Sequence, residues 1–207
     1  MIDTDGLRAR LRELEEVKDE VIETGGVKVN RLSKSVIYSL IRDDIETARK
    51  YIREMQGLVN KLRELITKYP MYYNNAVISL QEYVEAMTMW FFMTENRIPS
   101  PGELGVDAEP YVNGIADFTG ELSRKATEEM IRNNLDFALK AKRVMEELYL
   151  DLLSLEPRDY EMRKKVDYVS SNINWLNEKI FYKTLNIKVV QEQSSKSSNV
   201  NNSLSKA

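Results

Sequence analysis

Two pairs of acidic residues have the spacing of a carboxylate site. Glu82 and Glu85 lie three residues apart, and Asp117 and Glu121 lie four residues apart, so each pair falls on one face of a helix about one turn apart. Two helices that each offer two carboxylates can converge on a hard divalent cation such as Mg²⁺ or Mn²⁺, which takes oxygen ligands. Such a cation can activate water for attack on phosphorus. The spacing indicates a candidate site for metal-dependent hydrolysis.

The first acidic pair lies in an apolar stretch. Residues 69–94 contain two charged side chains, Glu82 and Glu85. Around the helix, Ile78 and Met89 fall on the same side as these acids, which indicates a helix that is buried on most sides. Carboxylates are costly to bury without a partner, so the pair is a functional candidate. The alternative is an ordinary acidic pair bound by salt bridges on a helix surface.

Glycines and an arginine accompany the second pair. Gly114 and Gly120 flank Asp117 along the same helical pattern. Glycine inside a helix costs about 1 kcal/mol relative to alanine, so the two glycines predict that another backbone or a ligand comes close. Arg124 lies on the acid-bearing face, where it could neutralise the acids or hold a phosphate.

The composition narrows the available chemistry. Among its 207 residues the chain has no Cys and no His, which excludes disulfides, thiolate nucleophiles, zinc fingers and the usual histidine base. A di-iron bundle is excluded too, because it needs Glu-x-x-His motifs. The net charge is −3, so any nucleic acid would have to bind at a local basic patch rather than through bulk positive charge.

Apolar residues recur at helical spacing along the chain. The pattern predicts an all-α fold, an antiparallel bundle of about six or seven helices in a single domain of residues 1–190. Gly25 and Gly26 are expected to end the first helix, whereas the second helical pattern is expected to pass through Asp43 and Asp44. The polar, low-complexity residues 191–207 are predicted to be disordered.

Nothing in the sequence indicates a membrane segment. No stretch reaches the roughly 18 apolar residues of a membrane span, and the charged amino terminus lacks the apolar core of a signal peptide. The chain is therefore expected to be cytoplasmic, without a membrane partner.

Two segments resemble the signature regions of the translin/Trax family. They are residues 80–86 (LQEYVEA) and 110–124 (PYVNGIADFTGELSR), and residues 158–167 agree with a further stretch. The resemblance covers about residues 5–187 and implies a translin-like helical fold. Within this family, translin-type chains bind single-stranded nucleic acid, whereas Trax-type chains are Mg²⁺-dependent endoribonucleases.

The resemblance also implies roles for individual residues. The family's catalytic acids match Glu82, Glu85 and Asp117, and Glu121 matches a further metal-coordinating position. Asp117 discriminates between the two types, because translin-type chains have an uncharged residue there. The chain is thus similar to a Trax-type protein of an archaeal or otherwise minimal kind. The implied activity is Mg²⁺- or Mn²⁺-dependent endoribonucleolytic cleavage of single-stranded RNA.

The family's hollow octamers bind RNA on their inner surface, which implies a homo-oligomer for this chain. Candidate residues for an interior basic patch are Arg31, Lys34, Arg124 and Lys125. For each of them, an ordinary solvated helix charge is the alternative. Binding of single-stranded DNA and the existence of a translin-type partner subunit stay open.

Two other functions remain as alternatives. One is a translin-like oligomer that binds single-stranded nucleic acid without turnover, and the other is a helical scaffold that binds no nucleic acid. Trp90, Phe91 and Phe92 could stack on bases, but their helical spacing is more typical of a core or a subunit interface.

Overall fold

The computed structural model describes the backbone of residues 2–204 and the side chains of residues 2–185. Its helices are α1 (Thr4–Val21), α2 (Asn30–Ile41), α3 (Ile45–Lys68), α4 (Tyr73–Glu95), α5 (Pro101–Leu104), α6 (Ala108–Ile131), α7 (Leu135–Ser154) and α8 (Tyr160–Leu204). A 3₁₀ turn, Pro70–Tyr72, precedes α4. The described backbone contains no strand. The predicted all-α bundle is confirmed.

Helices α4 and α6 form the centre of the bundle. Helix α4 packs against α2, α3 and α6, whereas α6 also packs against α7 and α8. At their junction Phe118 is completely buried, and the ring of Phe92 meets it edge to face with 5.8 Å between the ring centres. The acid-bearing segments therefore lie on the two most central helices.

Polar residues at the turns decide where two of the helices begin. The side chains of Asp44 and Asn134 each accept a hydrogen bond from the backbone N–H three residues further on, and so begin α3 and α7. The preceding residues, Asp43 and Asn133, adopt positive φ angles of 63° and 65°, which Asp and Asn tolerate better than most residues. The prediction that a helix passes through Asp43 and Asp44 is wrong, because Asp44 caps a new helix.

Helices α1 and α2 are joined without a break by a π-helical segment, Ile22–Val29. The prediction that Gly25 and Gly26 end the first helix is therefore also wrong. A Cβ atom on Gly25 would lie 2.7 Å from Oγ of Ser79 on α4. The missing side chain allows α4 to pack directly against the widened turn. Here glycine permits close helix packing and does not end the helix.

The last part of the chain is described only in its backbone. Helix α8 continues to Leu204, but the side chains after residue 185 and the whole of residues 205–207 lie outside the described residues. The predicted disorder of residues 191–207 therefore stays a prediction. Within the described part of the chain, none of the helices combines the length and apolar character needed to cross a bilayer.

Candidate acidic pocket

A pocket of about 350 Å³ contains all four of the acids singled out by the sequence. Two of these acids come from α4 and two from α6: Glu82, Glu85, Asp117 and Glu121. Residues of α2, α6 and α8 complete the wall: Lys34, Ile37, Tyr38, Arg124 and Tyr168. The two acidic pairs therefore face one another across the contact between α4 and α6.

Two glycines of α6 allow the neighbouring helices to come this close. A Cβ atom on Gly114 would lie 2.6 Å from Cβ of Val84 and 2.7 Å from the backbone oxygen of Gln81, both on α4. A Cβ atom on Gly120 would lie 2.5 Å from Oη of Tyr168 on α8. The predicted approach of another backbone is confirmed at Gly114, whereas the neighbour of Gly120 is the phenol of Tyr168, which is neither a backbone nor a ligand.

The acids of α4 lie in an environment that disfavours their charge. Both side chains are half-buried. Burial, assisted by the neighbouring carboxylates of Glu82, Asp117 and Glu121, raises the pKa of Glu85 to about 8. Burial also raises the pKa of Glu82, although nearby Lys34 opposes that rise. At neutral pH Glu85 is therefore mostly protonated in the absence of an added cation.

The acids of α6, by contrast, already have cationic partners. Nζ of Lys165 on α8 donates hydrogen bonds to both carboxylate oxygens of Asp117, at 2.5 and 2.8 Å. The side-chain amide of Gln81 donates a further hydrogen bond to the same carboxylate. Arg124 donates to Glu121 at 3.2 Å. The chain's own cations thus occupy carboxylate oxygens that a metal ion would use.

The donor chemistry of the pocket fits a hard cation, but the present arrangement of the side chains does not hold one. Carboxylate oxygens are the ligands that Mg²⁺ and Mn²⁺ prefer. Among the described residues, however, no group of three or more Asp, Glu, His or Cys side chains is placed so that it could hold a metal ion. A metal ion coordinated by Asp117 would compete with Lys165 for the oxygens of that carboxylate.

Two of the four predicted basic residues line the pocket, and a third shares a helix face with one of them. Lys34 and Arg124 line it, and the guanidinium of Arg124 lies over the ring of Tyr38 at 4.5 Å from its centre. Arg31 is exposed one turn before Lys34 on α2, so the two share one helix face. These residues form a basic rim beside the acids.

Lys125 does not belong to this rim. Its side chain is completely buried, and Nζ donates hydrogen bonds to the backbone oxygen of Ile41 at 3.1 Å, Asp43 at 2.6 Å and Glu129 at 2.8 Å. Burial would raise the pKa of Asp43, but the hydrogen bonds from Lys125 and Arg132 outweigh this effect and lower it. The predicted contact of Lys125 with nucleic acid is therefore corrected: Lys125 fastens α6 to the turn between α2 and α3.

The aromatic residues at the end of α4 contribute to packing. Phe92 is buried, and Trp90 and Phe91 pack against the core. Arg49 lies over the Trp90 ring and Arg97 over the Phe91 ring, at 5.7 and 4.2 Å from the ring centres. These contacts favour the core interpretation over base stacking.

Sequence reasoning missed the contributions of Gln81, Lys165 and Tyr168. Lys165 and Tyr168 lie three residues apart on α8, on the side that packs against α6. Residues 158–167 did show the family resemblance, but their helical spacing cannot identify the helix against which they pack.

The sequence model of the translin family matches residues 16–189. The chain belongs to the translin family. The match includes both acid-bearing helices and the part of α8 that supplies Lys165 and Tyr168, so the pocket lies entirely within the family domain. An uncharacterised protein of Methanocaldococcus jannaschii is 32% identical to this translin-family chain over 115 residues, which are 55% of this chain and 51% of the relative. The chain thus matches about half the length of that relative.

Solved structures with the same fold include proteins named C3PO. One of them is the crystal structure of apo-NeC3PO, whose sequence is 46% identical to this translin-family chain. The match covers 88% of this chain and 98% of the NeC3PO chain, with a TM-score of 0.85. In the complex of AfC3PO with duplex RNA, the protein is 23% identical to this chain. The match covers 89% of this chain and 97% of the AfC3PO chain, with a TM-score of 0.80. At this lower identity the likeness shows the fold alone.

Proposed function

We propose that this chain is a Mg²⁺- or Mn²⁺-dependent endoribonuclease of the Trax type that cleaves single-stranded RNA as a homo-oligomer. The observation that carries the proposal is the pocket in which four carboxylates from two central helices meet beside a basic rim. Asp117 supports the assignment to the Trax type, since the family resemblance places an uncharged residue there in translin-type chains. Homo-octamers are the assembly that the resemblance implies.

The acids and the basic rim have separate tasks in this proposal. Glu82, Glu85, Asp117 and Glu121 would hold the cation. When bound, the cation supplies the Lewis acidity that activates water and neutralises charge on the phosphate. Glu85 must first lose the proton that its raised pKa retains.

The rim residues Lys34 and Arg124 bind the phosphate oxygens of the RNA, and Arg31 extends this surface along α2. Hydrolysis adds water across a P–O bond and requires no covalent intermediate with the protein. No histidine is needed, which agrees with a chain that has none.

The related structures support RNA as the class of ligand. AfC3PO is described in complex with duplex RNA, and the 46% identical NeC3PO shares the C3PO name. Because the relative's complex contains a duplex, the test of this chain must include both single-stranded and duplex RNA.

Binding of RNA without turnover is a second candidate function. The ion pair between Lys165 and Asp117 favours it, since an ammonium group on this carboxylate disfavours coordination of a metal ion by the same oxygens. In this case the basic rim would bind RNA and the acids would be structural.

Cleavage of an end-labelled unstructured RNA, alone or annealed to its complement, tests the proposal in Mg²⁺, Mn²⁺ and EDTA. Asp117→Asn should abolish cleavage while native mass and RNA binding in EDTA stay as in wild type. Asp136→Asn, an exposed acid on α7, is the matched control and should cleave normally.

Cleavage by Asp117→Asn at the wild-type rate would overturn the catalytic assignment. RNA binding in EDTA with no product in either metal would establish the second candidate. A protein that binds no RNA under any of these conditions would contradict both and leave the helical scaffold.

A further inference from the structure

Lys165 places an ammonium group on the carboxylate that the proposed metal chemistry needs most. It comes from α8, 48 positions along the chain from Asp117. Its neighbours Val166 and Val169 are buried in the core, which fixes the rotation of α8 and turns Lys165 toward the pocket. The side chains of Lys165 and Asp117 remain 32% and 21% exposed, so solvent can reach the ion pair.

The adjacent Lys164 shows that this contact is specific to one position. Lys164 pairs with Glu161 at 3.2 Å, and both side chains are mostly exposed. One residue further on, the helix has turned by about 100°, and Lys165 points at Asp117 instead. An exposed lysine on this helix therefore has no need of the acidic pocket for a partner.

We propose that Lys165 is the resident cation of the acidic pocket, which holds Asp117 when no divalent ion is present and competes with that ion for the Asp117 carboxylate. The inference rests on the metal site of the proposed function. It accounts for the observation that four carboxylates line one pocket although no three of them are placed to hold a metal ion among the described residues. In this role Lys165 is a positioning residue that sets the metal affinity of the pocket.

The competition predicts that the affinity of the pocket for a divalent ion rises when Lys165 is replaced by a neutral residue. Removing a lysine beside a carboxylate frees that carboxylate, so the pocket should bind a divalent ion more tightly. A partly screened ion pair corresponds to about a threefold to tenfold change in affinity. In the absence of metal the same substitution should lower the melting temperature, because the acids lose a counter-charge, and saturating Mn²⁺ should reverse most of that loss.

Mn²⁺ binding to the full chain, measured by electron paramagnetic resonance, tests the inference without reference to RNA cleavage. Lys165→Met should bind Mn²⁺ about threefold to tenfold more tightly than wild type, whereas Lys165→Arg, which keeps the ion pair, should stay close to wild type. Lys164→Met removes the same charge from the adjacent position of α8, where the lysine pairs with Glu161, and should change the affinity by about twofold or less. Should Lys165→Met not fold without metal, Lys165→Gln replaces it.

Unchanged or weaker Mn²⁺ binding by Lys165→Met overturns the inference. An equal gain in Lys164→Met also overturns it, since the effect would then come from the net charge of the chain. Absence of Mn²⁺ binding in every variant contradicts both this inference and the proposed metal site. If Mn²⁺ binding tightens as expected but no variant cleaves RNA, the role of Lys165 stands and the nuclease proposal fails.

Discussion

Glu85 offers a direct measurement of the electrostatics of the acidic pocket. Burial, assisted by three neighbouring carboxylates, raises its pKa from an ordinary value of 4.5 to about 8. Between these pH values the folded chain binds a proton that the unfolded chain has released, so the free energy of unfolding must fall as the pH rises. The contribution of Glu85 is fully present below pH 4.5 and is lost by the time the pH has passed about 8.

Glu85→Gln removes this titration while keeping the size of the side chain. Each pH unit between the folded and unfolded pKa values corresponds to about 1.4 kcal/mol. Solvent in the pocket and coupling to Glu82 reduce the total, so we expect a difference on the order of 2–3 kcal/mol. In the absence of metal, Glu85→Gln should exceed wild type in stability by this amount above pH 8 and should match it near pH 4.5.

Urea denaturation in EDTA, followed by circular dichroism across this pH range, measures the difference. The protein concentration must be the same in every sample, because any association of the chains makes the stability depend on it. Glu54→Gln, at an exposed position of α3, is the matched control. If wild type and Glu85→Gln lose stability with the same pH dependence, or if Glu54→Gln produces the same gain, the reasoning about the pocket is refuted.

Three further predictions concern the packing of the helices that form the pocket and the binding of Mg²⁺ in it. Lys125→Met should lower the free energy of unfolding by about 3 kcal/mol or more, because it leaves the nearly buried Glu129 without its lysine partner; a loss below 1 kcal/mol in urea denaturation would contradict this. Gly114→Ala should destabilise by about 1–3 kcal/mol, whereas Gly57→Ala, inside α3 with nothing within 4 Å, should stabilise by up to about 1 kcal/mol; equal effects on urea denaturation would refute the packing argument. Saturating Mg²⁺ should raise the melting temperature of wild type more than that of Asp117→Asn, and equal shifts in calorimetry would place the binding elsewhere.

Helical periodicity predicted those parts of the fold that depend on neighbouring residues. The apolar spacing around Leu122 and Leu62 corresponds to side chains that are completely buried, and the acids expected on common helix faces do line one pocket. These features could be predicted because a helix repeats every 3.6 residues and a face follows from spacing alone.

Two helix boundaries were predicted wrongly because they depend on contacts that cannot be read from the spacing of residues along the chain. Glycine is a residue type that often ends a helix, yet at position 25 it allows Ser79 of α4 to pack closely. Asp44 fits a continuing helical pattern, yet its carboxylate caps the next helix. In both cases the same residue type suits two local structures, and a partner elsewhere in the chain decides between them.

The roles of the basic residues could not be predicted for the same reason. Arg124 and Lys125 are adjacent, so their side chains leave α6 about 100° apart. One reaches the pocket, and the other is buried against the turn between α2 and α3. Their charge and position in the sequence are nearly identical, and only the packing of α2 against α6 distinguishes a surface cation from a buried one.

Packing between distant helices also decides whether the acids form a metal site or a salt-bridged pocket, so the sequence alone could not distinguish the two. Spacing places Glu82, Glu85 and Asp117 on faces that can meet, but it does not show which cation meets them. That cation is supplied by Lys165, whose direction depends on how α8 packs against α6. The ion pair between Lys165 and Asp117 offsets part of the repulsion among the acids. Under the proposed competition, the same lysine would lower the affinity for a divalent ion and so set the metal concentration needed to displace it from Asp117.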